Sequence, residues 1–259
     1  MTDPLLPPTT DGLVVIRAPE SGDARALIAG RDEEFRRWLG PGPDEPQPVG
    51  CIHAGERIVG FVDYDTDHDW LEPGEVNVGY HVFARHRGRG YATRAVRLLL
   101  HHLAVRTGYS MASLLIDPGN ERSLALAARI GAAAAAHPGG RYFRRPVPAL
   151  SYSDGVVTIR PPRPGETGWS RGEPFGAGPR WAFCADAAGV GCVGYAECDL
   201  ASDRMPRGEA SIRVACHPAH QGRRYENRTA RLATRFLRDH TGARQSPAVS
   251  LPADPGRGR

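Results

Sequence analysis

Residues 82–103 read VFARHRGRGYATRAVRLLLHHL, and five of them (Arg85, Arg87, Gly88, Arg89, Gly90) crowd the point where a strand should pass into a helix. Glycines there let the backbone turn so that successive N–H groups face one concavity. A helix starting immediately afterwards adds the partial positive charge of its N-terminus, where the first amides have no partner in their own helix. Such an arrangement binds phosphate or pyrophosphate, and neighbouring arginines add charge-assisted hydrogen bonds. The competing reading is a solvated basic turn.

Other residues with chemical potential lie on either side. In IDPGNERSLALAARIGA, Asn120 and Ser123 precede a periodic apolar run, and by position alone they read as the cap and first-turn serine of a helix. In EVNVGY, Glu75 and Asn77 stand two apart and so face one side of a strand. Asparagine cannot serve as a base. Glu75 is either a solvated charge at a hairpin edge or a base acting through a water. The run DYDTDHDW alternates Asp63, Asp65, Asp67 and Asp69, but His68 and Gly74 stand where a calcium loop needs glycine and glutamate. It reads as a solvated loop or as an acidic lip for a cationic amine. His101 and His102 are adjacent on a helix, cannot face one ligand together, and read as surface or groove histidines.

The elements that position these groups follow from apolar periodicity and stop signals. Strands are expected at 14–17, 49–53, 57–64, 75–83 and 111–116, with a final hairpin ending near RYFRRPV. One or two helices fill 21–39, and further helices span 90–106 and 120–130. The order β-αα-βββ-α-β-α-ββ predicts a mixed α/β sheet.

A second set of similar segments follows. Gly60, Gly74, Glu75, His86, Gly88, Tyr91 and Arg94 are matched by Gly194, Gly208, Glu209, His220, Gly222, Tyr225 and Arg228, each 134 residues on. An offset held without a gap over such a stretch marks an internal repeat. The join falls in the Pro- and Ser-containing RRPVPALSYSDG, so domains are expected at 1–150 and 151–259. In the second copy Ala219 replaces Arg85, Arg224 replaces Gly90 and Arg213 replaces Gly79. Arginine at 224 is expected to crowd the backbone approach. Past SPAVSLPADPGRGR no match to Ser123 or its helix follows. The second domain is therefore expected to be truncated, degenerate and structural, covering a sheet edge or shaping a cleft, with a PGRGR tail lacking order.

On VNVGYHVFARHRGRGYATRAVRLLLHHL and IDPGNERSLALAARIGA the chain resembles the GNAT superfamily of acyl-CoA-dependent N-acyltransferases, in its Rim-type branch. The resemblance covers most of 13–145 and implies two tandem GNAT-like mixed β-sheet domains flanked by helices. It implies that amides of Gly88, Arg89, Gly90, Tyr91 and Ala92 hold the coenzyme A pyrophosphate, with Arg85 and Arg87 at its edge. It implies that Val82 and Phe83 hydrogen-bond the pantetheine arm as an added strand. Asn120 would contact pantetheine, and Ser123 would stand near the sulfur to protonate the departing thiolate. Relatives often carry a glutamate in a segment like E-[IV]-G-Y, where this chain has Asn77.

The implied activity is transfer of an acetyl group from acetyl-CoA, as cosubstrate, to a small-molecule amine or protein N-terminus, by direct attack in a ternary complex and with no metal. The alternative is a non-catalytic acyl-CoA-binding protein. A formal charge of +4 over 259 residues is mild beside a dedicated nucleic-acid binder, so nucleic acid is not expected, although basicity leaves a ribosome-associated role as a third reading. No run is long and apolar enough for a membrane helix, and MTDPLLPPTTDG lacks a signal-peptide pattern. Five cysteines without a CxxC pair argue against a disulfide framework or zinc site and for the cytoplasm. A homo-oligomer is compatible with all of this.

Overall fold

The computed structural model describes residues 6–135, 141–163, 166, 179–201, 206–245 and the backbone of 249–250. The PGRGR tail lies outside the described residues. The chain divides into two compact units: Met1–Thr9 with Val14–Pro148, and Thr10–Leu13 with Ala149–Arg259.

The first unit holds β1 (Thr9–Thr10, shared at its end with the other unit), β2 (Val15–Arg17), α1 (Asp23–Ala29), α2 (Glu33–Leu39), β3 (Gly50–Ala54), β4 (Arg57–Asp65) and β5 (Glu75–Val82). After a single 3₁₀ turn at Ala84–His86 come α3 (Tyr91–Arg106), β6 (Met111–Ile116), α4 (Glu121–Ile130), β7 (Ala133–Ala135) and β8 (Arg141–Pro146). The sheet order is β1-β2-β3-β4-β5-β6-β8-β7. The β2 to β5 pairings are antiparallel, and β5 and β6 run parallel.

Local chemistry accounts for the element ends. Asp32 caps α2 by accepting from the Phe35 N–H at 2.9 Å. Asp23 instead accepts from Arg17 at 2.7 Å and from the Glu20 N–H at 2.8 Å, tying the start of α1 to β2. Asn120 caps α4 through the Ser123 N–H at 3.1 Å. The C-terminal half of α3 is enclosed nearly all round, by burial of Leu98 to Leu103 without a break. His101 and His102, expected at a surface or groove, are therefore buried at 1% and 2% exposure. The apolar stripe of this helix is wider than its leucines alone announce.

The decisive feature of the sheet is where β5 and β6 part. Only Glu75, Val76 and Asn77 pair with Met111, Ala112 and Ser113. Beyond them β6 continues to pair with β8, Leu114 with Phe143 and Ile116 with Arg141, and β5 continues to pair with β4 as far as Val82. The strands splay, so among the described residues the β6-facing edge of β5 from Val78 onward has no strand beside it.

The second unit contains β9 (Tyr152–Ser153), β10 (Val157–Arg160), β11 (Arg180–Ala187), β12 (Gly191–Asp199), β13 (Glu209–Cys216), a 3₁₀ turn at Pro218–His220, α5 (Tyr225–His240), β14 (Arg244–Gln245) and β15 (Val249–Ser250). Its core joins Trp181, Phe183 and Ile212 of the sheet to Leu232 and Phe236 of α5. The strands β12 and β13, the 3₁₀ turn and α5 each begin 134 residues after β4, β5, the first 3₁₀ turn and α3. Arg224, which was expected to crowd the turn before the helix, adopts its left-handed conformation at φ 61°, where Gly90 has φ 77°. It is the sole non-glycine with positive φ among the described residues. A second difference matters more. Arg213 and Val214 pair in parallel with Val249 and Ser250, so β13 carries a neighbouring strand at the level where β5 has none.

Candidate functional site

A cleft of about 740 Å³ opens where β5 and β6 splay, within the first unit. Val78, Gly79, Tyr80, His81 and Val82 form one wall, Leu114, Leu115 and Ile116 another, and Asn120 and Ser123 of α4 lie beside them. At its mouth stand Gly88, Gly90, Tyr91, Ala92 and Thr93, the start of α3.

Gly88 and Gly90 both have φ 77°, a left-handed conformation that glycine adopts without penalty. No side chain caps α3, so its first-turn amides are left to face the cleft mouth. A Cβ built on either glycine would meet no atom within 4 Å. The space above the turn is therefore open, and it suits an anionic group held by backbone amides and the helix dipole. The open edge of β5 suits an extended, amide-bearing chain laid in as a strand. Together they fit the pyrophosphate and the pantetheine arm of a coenzyme A molecule.

The arginines behave differently from expectation. Arg87 lines the cleft, but its guanidinium is taken up by Asp32 at 2.6 and 2.9 Å, Glu34 at 2.8 Å and the Val82 carbonyl at 2.9 Å. It fastens the turn to the start of α2. The hydrogen bond from Arg87 holds the Asp32 carboxyl at about 2, against burial that pushes the other way. Arg85 donates to His86 Nε2 at 3.0 Å, and neither Arg85 nor Arg89 lines the cleft. Phe83 is also off the cleft: its N–H donates to Val59 at 2.9 Å, its carbonyl accepts from His86, and its ring packs with Leu27 and Cys51. Val82 lines the cleft with its carbonyl already engaged by Arg87.

Glu75 and Asn77 do not line it either. Glu75, read from the sequence as a solvated charge or a base acting through a water, is not solvated and does not line the cleft. It is 3% exposed, pairs with Arg144, and accepts from Tyr142 at 2.6 Å and Ser113 at 3.1 Å. A buried carboxylate needs such partners, and here they bind β5 to β6 and β8 where the parallel strands still touch. Asn77 donates to Asp65 at 3.0 Å and lies 3.1 Å from His68, which itself pairs with Asp65 at 2.9 Å and stacks on Trp70. The aspartate run is thus partly a fastening for its own loop. Among the described residues no cluster of three or more His, Cys, Asp or Glu is arranged to hold a metal.

Two residues in the cleft wall were not singled out from the sequence. Tyr80 donates from its hydroxyl to Ser123 Oγ at 2.9 Å, and burial pushes its phenol pKa up, so it stays a donor. Ser123 Oγ, with that bond accepted, has its own proton to offer into the cleft. His81, on the opposite face of β5, is 7% exposed and packs edge-on to Phe35 at 5.0 Å. Burial lowers its pKa, so the imidazole is neutral at pH 7. Its Nε2 lies 3.3 Å from the Gly30 carbonyl. Donation there would leave Nδ1 as the proton acceptor. A sequence signal existed for Tyr80: a polar ring in step with Val78 and Val82 on an apolar strand face.

Residues 47–133 match the family described as the acetyltransferase (GNAT) domain. Among solved structures, an acetyltransferase (GNAT family) from Bacillus anthracis is similar at 15% identity over 54% of this chain and 98% of that one, with a TM-score of 0.45. RimJ of Mycobacterium smegmatis, in complex with CoA-disulfide, is similar at 17% identity over 54% and 85%, with a TM-score of 0.43. An acetyltransferase from Agrobacterium tumefaciens str. C58 is similar at 18% identity over 54% and 94%, with a TM-score of 0.43. No curated protein matches the chain.

Proposed function

We propose that the first unit is an N-acetyltransferase that takes an acetyl group from acetyl-CoA and gives it to a primary amine, on a small molecule or a protein N-terminus. The observation that carries this reading is the splay of β5 and β6 beside the glycine-turned, uncapped start of α3. The match of 47–133 to the GNAT acetyltransferase domain supports it.

In this reading the bound cosubstrate supplies an activated thioester carbonyl. The amides at Gly88 to Ala92 anchor its diphosphate, and the open edge of β5 orients its arm along the cleft. Holding amine and carbonyl in contact provides much of the rate enhancement. His81, neutral and next to the α2 face, accepts the proton of the incoming ammonium. Ser123 Oγ–H gives a proton to the leaving sulfur, Tyr80 Oη–H replaces it, and the phenol regains a proton from solvent. Glu75 holds the strands together rather than taking a proton.

Thiol release from acetyl-CoA in the presence of a panel of amines and N-terminal peptides tests the proposal. Amine-dependent release is the expected result. Tight coenzyme A binding without release under any amine would instead favour an acyl-CoA-binding protein, a reading to which the absence of Glu75 and Asn77 from the cleft lends weight. The second unit we read as a degenerate copy that binds no cofactor, because β15 fills the position that is open beside β5. Cytoplasmic residence goes with this assignment.

A further inference from the structure

We propose that Cys184 and Cys192 are a redox-active dithiol that closes to a disulfide by exchange with a small-molecule disulfide. The two lie in the second unit on neighbouring strands, β11 and β12. Ala185 stands opposite Gly194, and the next residue, Asp186, stands opposite Cys192, so Val193 is the extra residue of a β-bulge. Cys184 is two residues from Asp186 and shares its face, which is also the face of Cys192. A bulge bends its strand and tightens the local twist at this point. The register therefore sets the two cysteines on one face of neighbouring strands, at diagonal positions beside the bulge.

The partners differ in the way an attacking and a resolving thiol should. Cys192 is exposed, whereas Cys51, Cys184, Cys198 and Cys216 are buried. The neighbouring Cys184 thiol pulls the Cys192 thiol below its ordinary range while burial, Asp186 and Glu166 oppose, and Cys192 Sγ–H donates to the Gly194 carbonyl at 3.5 Å. Cys184 is held above its ordinary range by the neighbouring Cys192, by burial and by Glu166, with Arg160 opposing. The charged groups facing the pair form one network. Arg160 on β10 bonds Asp186 on β11 and Glu166 beyond β10, each at 2.6 Å. The Cys184 thiol donates to Glu166 Oε2 at 3.5 Å.

The first unit has the same bulge, with Gly60 opposite Ile52 and then Ile58 opposite His53. There Ile58 occupies the position of Cys192, and Cys51 packs against Leu27 and Phe83. The thiol pair is therefore particular to the second unit and is not a by-product of the bulge.

The step balances as thiol–disulfide exchange. The Cys192 thiolate attacks one sulfur of R–S–S–R, that bond breaks, and R–S⁻ leaves as Cys192–S–S–R forms. Cys184 loses its proton to solvent and attacks the Cys192 sulfur, releasing the second R–S⁻. The two protein thiols are oxidised and the small disulfide is reduced to two thiols.

Titrating the full chain with glutathione disulfide tests this by intact-protein mass and peptide mapping. The expected product has lost two hydrogens, carries no adduct and links residues 184 and 192. Cys184→Ser should stop at a mixed disulfide on Cys192, and Cys192→Ser should take up no glutathione there. Alkylation of Cys192 by iodoacetamide should slow less than fivefold between about pH 8.5 and 6.5, where an ordinary thiol slows about 50-fold. Cys184→Ala should restore the steep dependence. A wild-type protein that stops at the mixed disulfide, or a Cys192 with the ordinary pH profile, overturns the proposal.

Discussion

Replacing Gly90 by alanine separates the backbone role of the turn from its role in binding. At φ 77° an L-residue pays the left-handed penalty, about 1–2 kcal/mol. Part of that is returned because alanine restricts the unfolded chain, by about 0.4–1 kcal/mol. No steric cost is added, since the new Cβ meets no atom within 4 Å. The net loss of about 1 kcal/mol corresponds to a fall in Tm of roughly 2–5 °C for a unit of this size. Arg224 demonstrates within the same molecule that the turn survives a side chain. Binding should suffer far more, because the Cβ stands where a diphosphate would approach the amides. Losing one charge-assisted hydrogen bond costs about 1.5–3 kcal/mol, roughly 10- to 100-fold in Kd. Calorimetric titration with coenzyme A, beside a thermal melt, reads both numbers, and wild type should bind at one site per chain. Arg224→Gly, which makes the second turn like the first, should leave that stoichiometry at one. Unchanged affinity in Gly90→Ala with the expected small fall in Tm would refute the placement of the diphosphate. A second binding site in Arg224→Gly would refute the importance assigned to the splay.

The other predictions concern the cleft wall and its supports. Tyr80→Phe keeps the ring and removes the donor to Ser123, so kcat should fall at least about tenfold with KM for acetyl-CoA nearly unchanged in steady-state kinetics. Glu75→Gln removes the charge that Arg144, Tyr142 and Ser113 satisfy and should cost roughly 2–3 kcal/mol in denaturant melts. Its activity per folded molecule should be kept, and a large kcat loss at unchanged stability would restore Glu75 as the base. His81 has a depressed pKa, so kcat/KM should be level near neutrality and fall only below its ordinary value of 6.5, with His81→Gln lowering kcat and abolishing that limb. Asp32 is lowered from 3.8 to about 2 by Arg87, so its stabilisation is complete above the higher value and is lost as pH falls through the lower. Arg87→Ala should weaken that dependence in acid-unfolding curves.

Periodicity makes some of this molecule readable from its residues, and long-range pairing hides the rest. The strand Met111–Ile116 and the helix beginning at Tyr91 announce themselves by apolar spacing and by the glycines before the helix. Asn120 is legible as a cap because capping is local. Arg87 misleads because its partners, Asp32 and Glu34, belong to a helix more than fifty residues earlier, and the sequence shows its charge without showing who neutralises it. Glu75 misleads for the same reason in the other direction: Tyr142 and Arg144 arrive on β8, the antiparallel neighbour of β6. Each is a charged side chain whose exposure is decided by a strand or helix distant in the chain. The splay of β5 and β6 leaves no local trace at all, because a strand reads the same whether or not its edge is paired.

That last point bears on what makes a cofactor site. Both units build a 3₁₀ turn, a left-handed residue and a sixteen-residue helix without a side-chain cap. An anion-binding helix N-terminus alone would predict two equivalent sites. The units part company at the strand edge: Gly79 and Tyr80 sit beyond the last β5–β6 pair, whereas Arg213 and Val214 are paired to Val249 and Ser250. Arg213 also ion-pairs with Glu197 on β12, where Gly79 offers no side chain opposite Asp63. In the proposed reading, a ligand that needs both a phosphate cradle and an unpaired strand edge fits beside β5 and not beside β13, where Val249 and Ser250 take that edge. On the proposed function, specificity for a long thioester cofactor over free phosphate would accordingly be a property of sheet register more than of the glycine-arginine turn that first draws the eye.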